Sequence, residues 1–211
     1  STFIEVRTAE LIKQIAIRGM DFDTVESRCQ GIPCGTCEVA NDRPGFGGVD
    51  VAVEQDCADA GVRSAVVFSA GSATERDGQA PLHERIGAIA RRTGMRVLGP
   101  NTEGFFNVAG AVAANFSIVV EDEAGAATRD LQDRDGVSII SHSGGLGFGL
   151  YSRARRMHLP VRHVVTTGNE ADVEALEIID HLVREGRSRA IMMFLEGFRR
   201  PQDFARVAAA A

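Results

Sequence analysis

Apolar runs and amphipathic stretches alternate from Val49 onward. Residues 49–53 (VDVAV), 63–70 (RSAVVFSA) and 95–99 (MRVLG) are short and largely apolar, the pattern of strands covered on both faces. Between the last two, residues 79–94 place Leu82, Ile86, Ile89 and Ala90 on one helical face, with Arg91 and Arg92 in the last turn and Gly94 as the stop. A second series follows: a strand over 137–140, a helix over about 145–157, a strand over 162–166, a helix over about 173–185 and a strand over 189–195. A last helix opens at Pro201, whose fixed φ suits a first turn. The alternation predicts an α/β fold with parallel sheets flanked by helices. One spacing resists it. Only residues 54–62 separate Val53 from Arg63, and a parallel crossover needs about a dozen residues. Either the first run belongs to another sheet or residues are missing from the sequence there.

Residues 121–135 (EDEAGAATRDLQDRD) are acidic and carry no apolar period, so they read as a linker. The division is a first unit over 1–120, a linker over 121–135 and a second unit over 136–211. That second unit reaches ARVAAAA without a cap or closing strand and reads as cut short. With 211 residues, 44% hydrophobic and 25% charged, the chain can bury a core and is not a disordered tail. It holds no run of 18 apolar residues and no basic-then-apolar leader, which predicts neither a membrane span nor secretion. A net charge of −6 argues against a nucleic-acid surface. All 23 basic side chains except Lys13 are arginine, so any phosphate must be held by backbone N–H groups and Arg rather than by lysine. Four cysteines in a chain able to form a core point to reduced thiols and a cytoplasmic protein.

The best local signal is residues 137–146, VSIISHSGGL, where an apolar strand enters a tight Ser-His-Ser-Gly-Gly turn that opens a helix. Such a turn aims unsatisfied N–H groups and the positive helix end at one point, a site for phosphate or carboxylate built from Ser141, His142, Ser143, Gly144, Gly145 and Leu146. The plain alternative is a glycine-rich turn with a serine cap, and short motifs leave these at even odds. A nucleophile elbow does not fit, because neither serine has a glycine two residues before it. Three more polar, glycine-bearing strand ends follow the same logic, since ligands collect at the carboxyl edge of open α/β sheets. They are Ser69, Ala70 and Gly71; Pro100, Asn101, Thr102 and Glu103; and the run TGNEAD with Gly168 and Asn169. Glu196, in FLEG, stands at the end of an apolar strand, where a buried carboxylate must meet a donor. Of the five histidines, His142 alone stands out by position; His83, His158, His163 and His181 read as surface or turn residues.

GVRSAVVFSAG, GMRVLGPNTEGFFN, SIISHSGGLG, VVTTGNEADV and AIMMFLEGF together resemble the NDP-forming acyl-CoA synthetases, relatives of the succinyl-CoA synthetase α subunit, over residues 49–211. The resemblance implies a Rossmann-like coenzyme A-binding domain followed by a flavodoxin-like domain. It implies ligation of a carboxylic acid to coenzyme A through acyl-phosphate and phosphohistidine intermediates. ATP or ADP and Mg2+ would be handled by an ATP-grasp domain or subunit, and a homo-oligomer or heteromer would result. By the same resemblance residues 141–146 hold the phosphate of the phosphohistidine, Glu196 orients that histidine, residues 100–103 lie near the acyl and thioester site, and residues 69–71 lie by the coenzyme A arm. Some members are protein lysine acetyltransferases, and a non-catalytic acyl-CoA-binding module has the same motifs. Two departures stand out. The family's glycine-rich turn is not recognisable before residue 49, and no histidine here lies in the family's His-Thr-Gly context.

A reading of another class rests on Cys29, Cys34 and Cys37, spaced Cys-x4-Cys-x2-Cys as in plant-type 2Fe–2S ferredoxins, with Cys57 as the remaining thiol. Against it, Cys57 lies in DCADAGVRSAVV, a segment that fits the synthetase resemblance.

Overall fold

The computed structural model describes residues 36–39, 57–59, 62–68, 70, 80–108, 110, 112–121 and 134–211. Three parallel strands form a first sheet in the order β1 (Thr36–Val39), β2 (Ser64–Val67), β3 (Arg96–Leu98). The parallel neighbour of β2 is therefore the run at 36–39, with residues 40–63 available for the crossover. That length removes the spacing conflict; residues 49–53 and the cysteines Cys29 and Cys34 lie outside the described residues. Helix α1 (Leu82–Thr93) joins β2 to β3 and buries Leu82, Ile86, Ile89 and Ala90, the face its periodicity predicts. It stops where Gly94 takes φ 75° and returns its N–H to the Ala90 carbonyl.

The second sheet has five strands in the order β5-β4-β7-β6-β8: β4 (Gly104–Asn107), β5 (Val112–Asn115), β6 (Gly136–Ser141), β7 (Val161–Thr166) and β8 (Ser188–Phe194). β6 is parallel to β7 and β8, as the βα alternation requires, whereas β4 runs antiparallel to both β5 and β7. The hairpin β4–β5 thus comes from residues assigned to the first unit yet hydrogen-bonds in the second sheet. Its short connection permits only an antiparallel pair, closed by Gly110 N–H on Asn107 Oδ1 at 2.8 Å. A short helix α2 (Ile118–Glu121) follows, then α3 (Gly144–Arg156), α4 (Ala175–Glu185) and α5 (Pro201–Ala210) between or after the parallel strands.

Strand alternation divides the core into three. Ala65, Val67 and Val97 face α1 together with Cys57, Ile86 and Met95. Val66 and Leu98 turn the other way and join Phe105, Ile140, Val165, Leu176 and Ile179, so one apolar core is shared by both sheets. Phe106, Ile139 and Val164 pack on Phe148 and Tyr151 of α3 across the remaining face. β8, the strand predicted over 189–195, lies at the edge of this sheet, with Met193 and Phe194 exposed. Among the described residues no helix is long and apolar enough to cross a membrane.

Candidate functional site

The strand ends do not share one sheet edge as expected, since β3 belongs to the first sheet and β6 and β7 to the second, but the turns that leave the three strands meet where the sheets adjoin. Ser143 has extended backbone (φ −86°, ψ 124°) and is the N-cap of α3; its hydroxyl accepts from Leu146 N–H at 3.4 Å, a long bond, and its carbonyl accepts from Gly147 N–H at 3.0 Å. Ser141 Oγ donates to the Ser143 carbonyl at 2.7 Å, fixing the turn. The first-turn N–H groups of Gly144 and Gly145 have no acceptor within the helix, and the first turn carries no acidic residue. Arg153, Arg155 and Arg156 in the last turn complement the other end of the dipole. The helix start is open on one side only. A Cβ on Gly145 would meet nothing within 4 Å, whereas one on Gly144 would lie 2.5 Å from Glu103 Cβ.

The turn after β3 is fastened to β7 by hydroxyls. Buried Thr102 Oγ1 donates toward the Thr166 carbonyl (2.5 Å) and accepts Gly104 N–H (2.9 Å); Thr166 Oγ1 accepts Glu103 N–H (3.1 Å) and donates to the Gly104 carbonyl (2.8 Å). The turn after β7 is then laid against Gly99–Asn101: Asn169 N–H reaches Pro100 O and Ala171 N–H reaches Gly99 O, both at 2.8 Å, while Asn101 Nδ2 donates to Asn169 Oδ1 at 3.1 Å. Gly168 needs its left-handed φ of 59° here, because a Cβ would sit 2.2 Å from the Pro100 carbonyl oxygen. Residues 100–103, 141–146 and 168–169 are thus neighbours, with Pro100, Thr102 and Ser141 buried and Asn101, Gly145, Leu146 and Asn169 exposed.

The buried carboxylate beside these turns is Glu170, not Glu196. Glu196 is exposed, so the premise that it is buried against a donor is corrected; its backbone N–H makes the contact, donating to His142 Nδ1 at 3.0 Å. The buried carboxylate is Glu170, inside TGNEAD. Its Oε1 accepts from His142 Nε2 (3.0 Å), Thr167 Oγ1 (3.0 Å) and Ala175 N–H at the start of α4 (2.8 Å). Arg199 donates to the Glu170 carbonyl at 2.5 Å. No local signal separates Glu170 from its polar neighbours, because its burial comes from β6, α4 and the segment after β8 closing over it. Of residues 69–71, Ala70 is exposed while Ser69 and Gly71 lie outside the described residues.

Cys57 packs beside Ala65, Val67 and Leu82, and Cys37 lies on β1 paired with Ala65. Among the described residues no group of three or more His, Cys, Asp or Glu side chains is placed to hold a metal ion.

Residues 134–211 match the family model of the succinyl-CoA ligase-like flavodoxin domain. The chain is 28% identical over 162 residues to acetate–CoA ligase (ADP-forming) II of Archaeoglobus fulgidus, covering 75% of this chain and 22% of that protein. It is 27% identical over 154 residues to acetate–CoA ligase (ADP-forming) II subunit alpha of Pyrococcus furiosus, covering 72% of this chain and 31% of the relative. In structure it resembles acetyl-coenzyme A synthetase 1 of Ca. Korarchaeum cryptofilum in complex with phosphate and ADP, with a TM-score of 0.66 and 26% identity over 86% of this chain and 36% of that one. The chain therefore spans between about a fifth and a third of the length of the curated relatives it matches. Over residues 134–211 the chain is a succinyl-CoA ligase-like flavodoxin domain, and its relatives and fold extend the similarity to the ADP-forming acetate–CoA ligases beyond that domain.

Proposed function

We propose that this chain is the coenzyme A-binding and phosphate-handling part of an NDP-forming acyl-CoA synthetase, acting on a small carboxylic acid in the cytoplasm. The observation that carries the reading is the convergence of the open α3 start with the turns at 99–103 and 167–173 where the two sheets adjoin. Neutral N–H donors fixed by folding stabilise a phosphoryl group without lysine, in keeping with a chain whose basic side chains are all arginine except Lys13. In this reading Gly144, Gly145 and Leu146 hold the phosphate of a phosphohistidine, with Ser143 setting the turn. Pro100, Asn101, Thr102 and Glu103, with Gly168 and Asn169, line the acyl and thioester side, and Ser69, Ala70 and Gly71 border the coenzyme A arm. Glu196, exposed at the end of β8, is available to orient the histidine. Nucleotide and Mg2+ belong to an ATP-grasp domain or subunit, in line with a relative named as an alpha subunit. We divide the chain into a coenzyme A-binding unit over 1–120 and a flavodoxin-like unit from 136, the first lending β4 and β5 to the second sheet.

Titration of the 15N-labelled chain with inorganic phosphate, and separately with coenzyme A, tests this. Phosphate is expected to shift the amides of Gly144, Gly145 and Leu146, with Ser143→Ala weakening binding at least about threefold through loss of the cap. Unmoved amides at millimolar phosphate, together with no coenzyme A binding, would remove the reading. In the full-length enzyme, Glu196→Gln is expected to slow phosphohistidine formation by about tenfold or more, the scale of a lost charge-assisted contact. Unchanged phosphorylation would show that another carboxylate does this work.

A further inference from the structure

His142 has both ring nitrogens engaged. A backbone N–H can only donate, so the 3.0 Å contact from Glu196 N–H makes His142 Nδ1 an acceptor. With its proton absent from Nδ1, the neutral ring carries it on Nε2, where it meets Glu170 Oε1 at 3.0 Å. The partner carboxylate is itself immobilised. Glu170 Oε1 also takes Thr167 Oγ1 and Ala175 N–H, and its side chain is 7% exposed against 13% for His142. The His142 backbone N–H donates to the Phe194 carbonyl at 2.9 Å, so ring and main chain grip the end of β8 together. A second tie, Arg199 to the Glu170 carbonyl, holds the same segment a few residues on.

We propose that His142 is a positioning residue: as the Nε2–H tautomer it connects the buried Glu170 carboxylate to the main chain of Glu196, and so fixes where the exposed Glu196 carboxylate stands beside the α3 start. The proposal rests on the functional reading of Glu196 given above, but its structural half is measurable without it. A serine-rich turn opening a helix needs no imidazole at this position to bind an anion. A ring that accepts at one nitrogen and donates at the other does need one, because no other side chain bridges a buried carboxylate to a main-chain N–H across this distance in one rigid plane.

Two measurements on the 211-residue chain test the geometry. Long-range 1H–15N correlation of the His142 ring is expected to report the Nε2–H tautomer at neutral pH; an Nδ1–H ring would overturn the proposal whatever the variants do. Amide exchange at Glu196 is the second. His142→Asn keeps an acceptor near the Nδ1 position and is expected to retain protection at Glu196. His142→Gln reaches toward Glu170 but lacks that acceptor, and with His142→Leu it is expected to speed exchange about tenfold, the loss of one hydrogen bond. Equal protection in all three variants would overturn it. In the full-length enzyme the same ordering, Asn above Gln and Leu, is expected for the rate of phosphohistidine formation, with the KM for the carboxylic acid unchanged. Intact tautomer and exchange results alongside an inert Glu196→Gln would instead reject the functional reading of Glu196 while leaving the clamp in place.

Discussion

His163 lies on β7 with Nδ1 3.0 Å from Ser138 Oγ, which is in turn 2.7 Å from Ser188 Oγ, so a polar file, buried at His163 and Ser138, links the three parallel strands β7, β6 and β8 near their amino ends. It reads from sequence as flanking a helix-to-strand turn; the pairing of β7 with β4 on one side and β6 on the other places it inside the sheet. Burial, helped by the positive charge of Arg162 and His181, pushes its imidazole down to about 4. The folded chain therefore keeps it neutral while the unfolded chain, near 6.5, takes up the proton first. Stability from this group is complete above about pH 6.5, falls as the pH drops from there toward 4, and changes no further below it. The whole loss is about 3 kcal/mol at 1.36 kcal/mol per unit. Denaturant unfolding followed from pH 7.5 to 4 is expected to show this slope, and His163→Asn, which keeps a polar partner for Ser138 without the titration, to flatten it. An identical acid limb in both proteins would place the sensitivity elsewhere.

At the scale of elements, strand-turn-helix order was legible because it is local. VSIISHSGGL holds its own periodicity and cap, and β6 and α3 begin and end within a residue of their expected bounds. The turns after β6 and β7 leave one sheet in one direction, but the turn after β3 joins them only through contacts between the two sheets. What could not be read was pairing across distance: that β4 would join β7 rather than the first sheet, and that Glu170 rather than Glu196 would be the buried carboxylate. The two glycines at the start of α3 make the point testable, because sequence shows them as equivalent and packing does not. Gly145→Ala enters open space and gains helix propensity, so its melting temperature is expected to match or exceed the parent, by up to about 1 kcal/mol in stability. Gly144→Ala drives a methyl into the Glu103 stem and is expected to cost about 1–3 kcal/mol, parting α3 from the turn after β3. Equal melting temperatures would mean that this contact does not hold the two turns together.

Across the whole molecule the two sheets are joined by the shared core and by one charged clamp. Arg96 leaves β3 of the first sheet with Nε 2.8 Å from Asp172 Oδ2 and its two terminal nitrogens on Glu177, at 2.9 and 2.8 Å. Asp172 Oδ2 also accepts Val97 N–H, and Val173 N–H reaches the Val97 carbonyl, so main chain and side chain cross the same junction. Burial opposes the guanidinium charge, but the hydrogen bonds and field of Glu177 and Asp172 outweigh it and hold the pKa above its ordinary value. The three side chains are 10%, 19% and 17% exposed, which sets this clamp apart from a solvent-screened surface pair. Arg96→Met keeps the stem but leaves two partly buried carboxylates facing each other, and is expected to lower unfolding stability by about 3–5 kcal/mol. Adding Asp172→Asn and Glu177→Gln to it removes the stranded charge and should recover part of that loss. Such recovery assigns the cost to unpaired charge rather than to packing. A single mutant within about 1 kcal/mol of the parent would assign the junction to Val66, Leu98 and their apolar partners alone. Because the turn from 99 to 103 and the turn from 167 to 173 are aligned by this junction, the same substitution is also expected to weaken phosphate binding at the α3 start, read from the Gly144 and Gly145 amides. Unaltered phosphate affinity in a folded Arg96→Met protein would mean that the site is built by the second sheet without help from the first.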